Sequence, residues 1–119
     1  KLTFREMKHP IKCFGVAIDN GSKRFVFSGD TAWCENIINF SKGADMVMLD
    51  AGLLAKDKAD DNVPHLTAKE CGMVAKQAGV KGLLLTHFWP GYDIKDVVAE
   101  AKGEFENTAA AELLQSYEV

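Results

Sequence analysis

The chain has 119 residues, a net charge of −3, 47% hydrophobic residues and 26% charged residues. These values suit one globular domain and exclude both a disordered tail and a broadly basic nucleic-acid binder, so any nucleic-acid affinity must be local. No apolar run approaches the roughly 20 residues that cross a bilayer and no signal-peptide pattern opens the chain, so a soluble, cytoplasmic protein is expected. The three cysteines (Cys13, Cys34 and Cys71) form no Cys-x-x-Cys pair and read as small buried hydrophobes.

The chain begins at Lys1 in strand-like sequence, as expected of part of a longer protein. Lys12 to Asp19 reads as a strand, and Asn20-Gly21 is a hairpin signal because both residue types tolerate positive φ. The returning strand is Lys23 to Ser28. Thr31 can cap a helix from Ala32 to about Ser41, with Trp33, Ile37, Ile38 and Phe40 as its apolar stripe and Gly43 as its stop. Asp45 to Asp50 is nearly continuous in apolar residues, as expected of a strand covered on both faces. Residues 51–62 are charged and irregular, and Lys56 to Asp61 read as a solvated loop. Thr67 with Glu70 makes a capping box for a helix to Ala78, which Gly79 ends. Lys81 to Thr86 is another buried strand, and Tyr92-Asp93 begins a further helix to about Gly103. Propensity favours helix for Thr108 to Leu114, while Gln115 to Val119 leans to strand. Alternating strands and helices of this length define an α/β layered domain.

Three polar residues stand where these elements end. Asp30, in Ser28-Gly29-Asp30-Thr31, follows an apolar strand, at the strand edge where α/β sheets build their sites. It reads either as a helix cap or as a carboxylate able to bridge two cations. His87 follows Leu83-Leu84-Leu85 and precedes a Trp-Pro-Gly turn, suiting a metal ligand or a hydrogen-bonded structural histidine. His65 precedes the capped helix, where it faces either solvent or a phosphate near the helix's positive end. His9 has no partner nearby in sequence. Trp33, Trp89 and Tyr92 read as packing residues, although Trp89 and Tyr92 could wall a pocket beside His87.

Taken in order, Ser28-Gly29-Asp30-Thr31, Asp50-Ala51, and the run from His65-Leu-Thr to Leu85-Thr-His87-Phe resemble the C-terminal half of metallo-β-lactamase-fold hydrolases. The ribonuclease Z-like branch matches best, and the resemblance covers nearly the whole chain. It implies one half of a four-layer αβ/βα sandwich, with residues 1–119 forming the C-terminal portion of the domain. It also implies a dinuclear site, usually zinc, in which Asp30 bridges the ions, His87 binds one of them, and His65 assists the leaving group of a phosphoester such as RNA.

The family's His-x-His-x-Asp-His motif is not in this sequence, and His9 lies nearer to Asp30 than the family's upstream histidine ligand does. One carboxylate and one imidazole fall short of the three protein ligands usual for catalytic zinc. The expectation is therefore a fragment of a metal-dependent phosphodiesterase that is inactive, or nearly so, alone and holds no stable metal. Its partner would be the missing N-terminal half, or a second copy packed on the exposed sheet face. The competing expectation is a non-catalytic interaction module that keeps half of the fold.

Overall fold

The computed structural model describes all 119 residues. Six strands form one mixed sheet in sequence order: β1 (Leu2–Glu6), β2 (Phe14–Asp19), β3 (Arg24–Phe27), β4 (Met46–Asp50), β5 (Gly82–Thr86) and β6 (Thr108–Ala110). The β1–β2 and β2–β3 pairs are antiparallel, and the β3–β4, β4–β5 and β5–β6 pairs are parallel. Each parallel crossover carries a helix: α1 (Glu35–Ser41), α2 (Ala68–Ala78) or α3 (Ile94–Lys102). A single 3₁₀ turn, Ala55–Asp57, lies in the loop after β4. No helix is long and apolar enough to cross a membrane.

The two faces of the sheet have different environments. The cross-strand row Thr3, Ala17, Val26, Val47, Leu83 and Thr108 points to one side. Ala17, Val26 and Val47 are fully buried there, in one core cluster with Ile37 and Phe40 of α1, Val74 of α2 and Val97 of α3. The alternate row runs through Phe4, Val16, Phe27, Met48 and Leu84, because successive strand residues face opposite sides. On this second face Leu2 and Phe4 are 60% and 62% exposed, and Phe14 and Ile18 are about half exposed. The helices thus cover one face and leave an apolar one open, which matches the αβ half of a four-layer sandwich.

Local chemistry explains most of the boundaries. Thr67 accepts from the Glu70 N–H while the Glu70 carboxylate accepts from the Thr67 N–H, so the expected capping box opens α2. Gly79 ends α2 in the left-handed conformation that glycine adopts without penalty. Asp93 caps α3 by accepting from the Lys95 N–H.

Four expectations need correction. Helix α1 starts at Glu35 with an extended Cys34 (φ −156, ψ 157) as its uncapped N-cap residue, and the Thr31 hydroxyl that could have capped an earlier start instead accepts from the Lys8 N–H and donates to the Ala32 carbonyl. The β2–β3 turn is centred on Gly21 and Ser22 instead of Asn20-Gly21, and of the first pair only Gly21 takes positive φ. The Asn20 side chain instead braces the turn by accepting from the Ser22 and Lys23 N–H groups. Thr108–Ala110 is a strand, because pairing with Leu83–Leu85 outweighs the helical preference of its alanines, and residues 115–119 form no strand. Finally, Lys58 is not solvated: its side chain is 8% exposed and bonds both Glu70 oxygens at 2.8 and 2.9 Å.

Helices α2 and α3 meet at Gly72, where a Cβ would lie 2.5 Å from the Ala101 carbonyl oxygen and 2.8 Å from Glu104 Cβ. Gly72→Ala therefore forces the helices apart despite its better helix propensity, and a destabilisation of about 1–3 kcal/mol is expected in thermal or denaturant unfolding.

Candidate metal centre

The parallel strands deliver the site residues to one edge. Asp30 follows β3, Asp50 ends β4, His87 follows β5, and Asp50 pairs in register with Thr86. His65 reaches the same edge from the loop entering α2, where Ala68 N–H bonds the Leu53 carbonyl at 2.8 Å.

Asp50 is the buried centre of the group, 1% exposed. Its Oδ2 takes a 2.7 Å hydrogen bond with His65 Nδ1 and a 3.2 Å bond from the Thr31 N–H. Its Oδ1 accepts from the Gly52 N–H at 3.0 Å and lies 3.3 Å from His87 Nδ1. Burial pushes the Asp50 carboxyl above the ordinary carboxylate range, while the bonded His65, the nearby His87 and the Thr31 N–H pull it back. Beneath it, the Cys71 thiol donates to the Asp50 carbonyl at 3.1 Å, and burial holds that thiol well above its usual range. Cys71 is thus a packing residue, as its sequence suggests.

With both Nδ1 atoms facing one carboxylate, the Nε2 atoms of His65 and His87 are left for other work. The two rings stack at 5.0 Å with 22° between their planes. His87 Nε2 lies 3.6 Å from Asp30 Oδ1, so the carboxylate and imidazole singled out in the sequence do converge. Asp30 does not cap α1, which begins five residues later at Glu35. His87 has φ +61, a left-handed conformation that costs a non-glycine residue about 1–2 kcal/mol and that clusters at functional sites. Gly29 shares this conformation (φ +61), and a Cβ there would come 2.9 Å from the Phe14 carbonyl. Only glycine fits the turn that presents Asp30.

Asp50, His65 and His87 each bring a ligand-type atom within 4.8 Å of the others. Asp50 is nevertheless poorly placed for direct ligation, since the Thr31 and Gly52 N–H groups and the His65 and His87 imidazoles together surround its two oxygens. It acts instead as the carboxylate that orients imidazoles by their second nitrogen, a common arrangement around metal-binding histidines. Sequence reasoning gave Asp50 no chemical role. The available signal was an acidic residue closing an apolar strand in line with the residues before Asp30 and His87.

His9 also proves to have a neighbour. Its ring lies edge-on to His65 at 5.8 Å, and the Lys8 carbonyl bonded by Ala32 N–H (2.8 Å) holds its segment against the Asp30 turn. Its Nδ1 bonds locally to the Ile11 backbone, leaving Nε2 free. The Tyr92 hydroxyl bonds Asp57 Oδ2 at 2.7 Å, which raises the phenol above its ordinary range and ties the loop after His87 to the 3₁₀ turn.

Carboxylates and paired imidazoles at the C-terminal edge of a helix-backed mixed sheet are the outline of a metal-dependent hydrolase. The beta-lactamase superfamily domain matches residues 2–88, and the chain belongs to that superfamily, in its metallo-hydrolase group. It is 38% identical over 108 residues to the uncharacterised protein Rv1339 of Mycobacterium tuberculosis, covering 90% of this chain and 39% of that protein. It is 38% identical over 105 residues to the ribonuclease Z of Brevibacillus brevis, covering 82% of this chain and 33% of the enzyme. The crystal structure of the metallo-beta-lactamase fold protein YhfI from Bacillus subtilis superposes with a TM-score of 0.87 at 30% identity, over 93% of this chain and 46% of that one. The chain therefore spans less than half the length of these relatives.

The two aspartates should behave oppositely when truncated. Asp50→Ala strands buried N–H groups and both imidazoles, so a loss of about 1–3 kcal/mol is expected. Asp30→Ala, with its side chain 42% exposed, should stay within about 0.5 kcal/mol of the parent. Equal losses in denaturant titrations of the two variants would refute this division of roles.

Proposed function

We propose that this chain forms one side of the active site of a metal-dependent phosphodiesterase, and that a second half of the fold completes it. The observation that carries this reading is the double grip of Asp50 on His65 and His87, which turns His87 Nε2 toward Asp30. Asp30 and His87 are the proposed metal ligands, with His9 Nε2 as a further imidazole on the same rim. Oxygen and nitrogen donors of this kind suit zinc, the metal usual in the family. Two such ions, when bound, supply an activated water and neutralise charge on the phosphoryl oxygens.

His65 is the proposed catalytic acid. With Nδ1 held on Asp50, the His65 Nε2 is the atom that can hand a proton to the departing alkoxide oxygen as the P–O bond breaks. The product is a neutral imidazole that keeps its Nδ1–H on Asp50. The ribonuclease Z relative puts RNA among the candidate substrates.

The open sheet face supports the need for a second half. Leu2, Phe4, Phe14 and Ile18 leave an apolar surface of the kind that marks an interface. Alone, the chain is expected to self-associate through this face and to hydrolyse phosphodiesters poorly. A strictly monomeric chain in sedimentation at all concentrations would count against that expectation.

The central test is zinc content and hydrolysis of bis(p-nitrophenyl) phosphate, measured for the chain alone and with the N-terminal half supplied. The complemented protein should bind zinc and turn over; if it binds none, the proposal fails. Within it, Asp30→Ala, His87→Ala and His9→Ala should each weaken zinc retention. Asp50→Asn should do so by about 10–100-fold, acting through the imidazoles. His65→Ala should keep its zinc and lose about 10²–10⁴-fold in kcat. Partner binding that survives Asp30→Ala and His87→Ala, with no zinc bound by the parent, would favour an interaction module instead.

A further inference from the structure

Immediately beside His65 and His87 lies a cleft of about 390 Å³ that the chemistry above does not use. Leu53 and Val63 enter it from the loop after β4, and Phe88, Trp89 and Pro90 from the loop after β5. Trp89 is 64% exposed, a large apolar surface left in water. The turn that carries it is nevertheless anchored. The Tyr92 N–H closes a turn onto the Trp89 carbonyl at 3.1 Å, and the Tyr92 hydroxyl anchors that turn to Asp57. A Cβ on Gly91 would come within 3.3 Å of the indole Cδ1 and Nε1, so the indole edge lies close against bare glycine backbone. An exposed aromatic ring on an anchored turn, next to two imidazoles, has the form of a stacking surface.

We propose that this cleft is a nucleobase subsite, with Trp89 stacking on the base of a nucleotide whose phosphate lies at His65 and His87. The inference rests on the phosphodiesterase reading and assigns the element that would hold the base of its substrate. The cleft has the size of a small-molecule subsite, and its continuity with the imidazoles puts one end of the ligand at a phosphate. Its walls away from the imidazoles are mainly aliphatic or aromatic, so stacking dominates and one base should serve about as well as another.

Calorimetric titration of the full-length protein with AMP, UMP and ribose 5-phosphate tests this. AMP and UMP should each bind about tenfold or more tightly than ribose 5-phosphate. Trp89→Ala should erase that advantage while leaving ribose 5-phosphate affinity unchanged, and Trp89→Phe should retain most of it. Equal affinity of the three ligands for the parent, or an advantage that survives Trp89→Ala, overturns the subsite and leaves the phosphoester site standing. Loss of ribose 5-phosphate binding in Trp89→Ala would also overturn it, by giving Trp89 a merely structural role. If none of the ligands binds the parent, the subsite and the phosphodiesterase reading fall together.

Discussion

The arrangement depends on one buried carboxylate. An ionised aspartate taken out of water is costly unless its oxygens are satisfied. Asp50 meets that demand with the Thr31 and Gly52 N–H groups and His65, while His87 approaches its Oδ1. These partners come from the turns after β3, β4 and β5 and from the entry to α2. The need to satisfy Asp50 thus draws four separate segments to one point. Gly52 permits the approach, since a Cβ there would crowd both Asp50 Oδ1 and His65 Cβ at 3.2 Å. Packing of the loops and orientation of the imidazoles are consequences of the same requirement.

That requirement also divides the work between two aspartates. Asp50 is saturated by its own chain and holds others in place, whereas Asp30 sits half exposed with its oxygens available. The candidate donors lie on one side of the site, and the sheet is covered by helices on only one face. A second αβ layer packed against Phe4, Phe27 and Met48 would cover the apolar surface and bring further side chains to the strand-end edge. On the proposed reading, shape and chemistry call for the same partner surface.

Much of this was legible in the sequence, because strand ends and caps are local. The Asp30 and His87 junctions, the capping box of α2 and the buried β4 and β5 follow from patterns a few residues long. What escaped depends on contacts between distant segments. The late start of α1 goes with a Thr31 hydroxyl that bonds Lys8, 23 residues away, and the Ala32 carbonyl, and so is diverted from capping a helix. The alanines of β6 follow the edge of β5 instead of their own preference. Asp50 looked like the polar end of an apolar run, and His9 looked isolated, because the residues that give them meaning are 15 and 56 positions away.

The strain at His87 links chemistry to recognition. An ordinary continuation of β5 would have carried the next residues onward along the strand. The left-handed conformation at His87 instead bends the chain, leaving the imidazole over Asp50 and beginning the turn that carries Phe88, Trp89 and Pro90. The bond from Tyr92 to Asp57 fixes the far end of that turn. One kinked residue therefore sets both the direction of the His87 imidazole and the position of the aromatic wall beside it. A change in backbone at this point would move the His87 imidazole and the Phe88–Pro90 wall together.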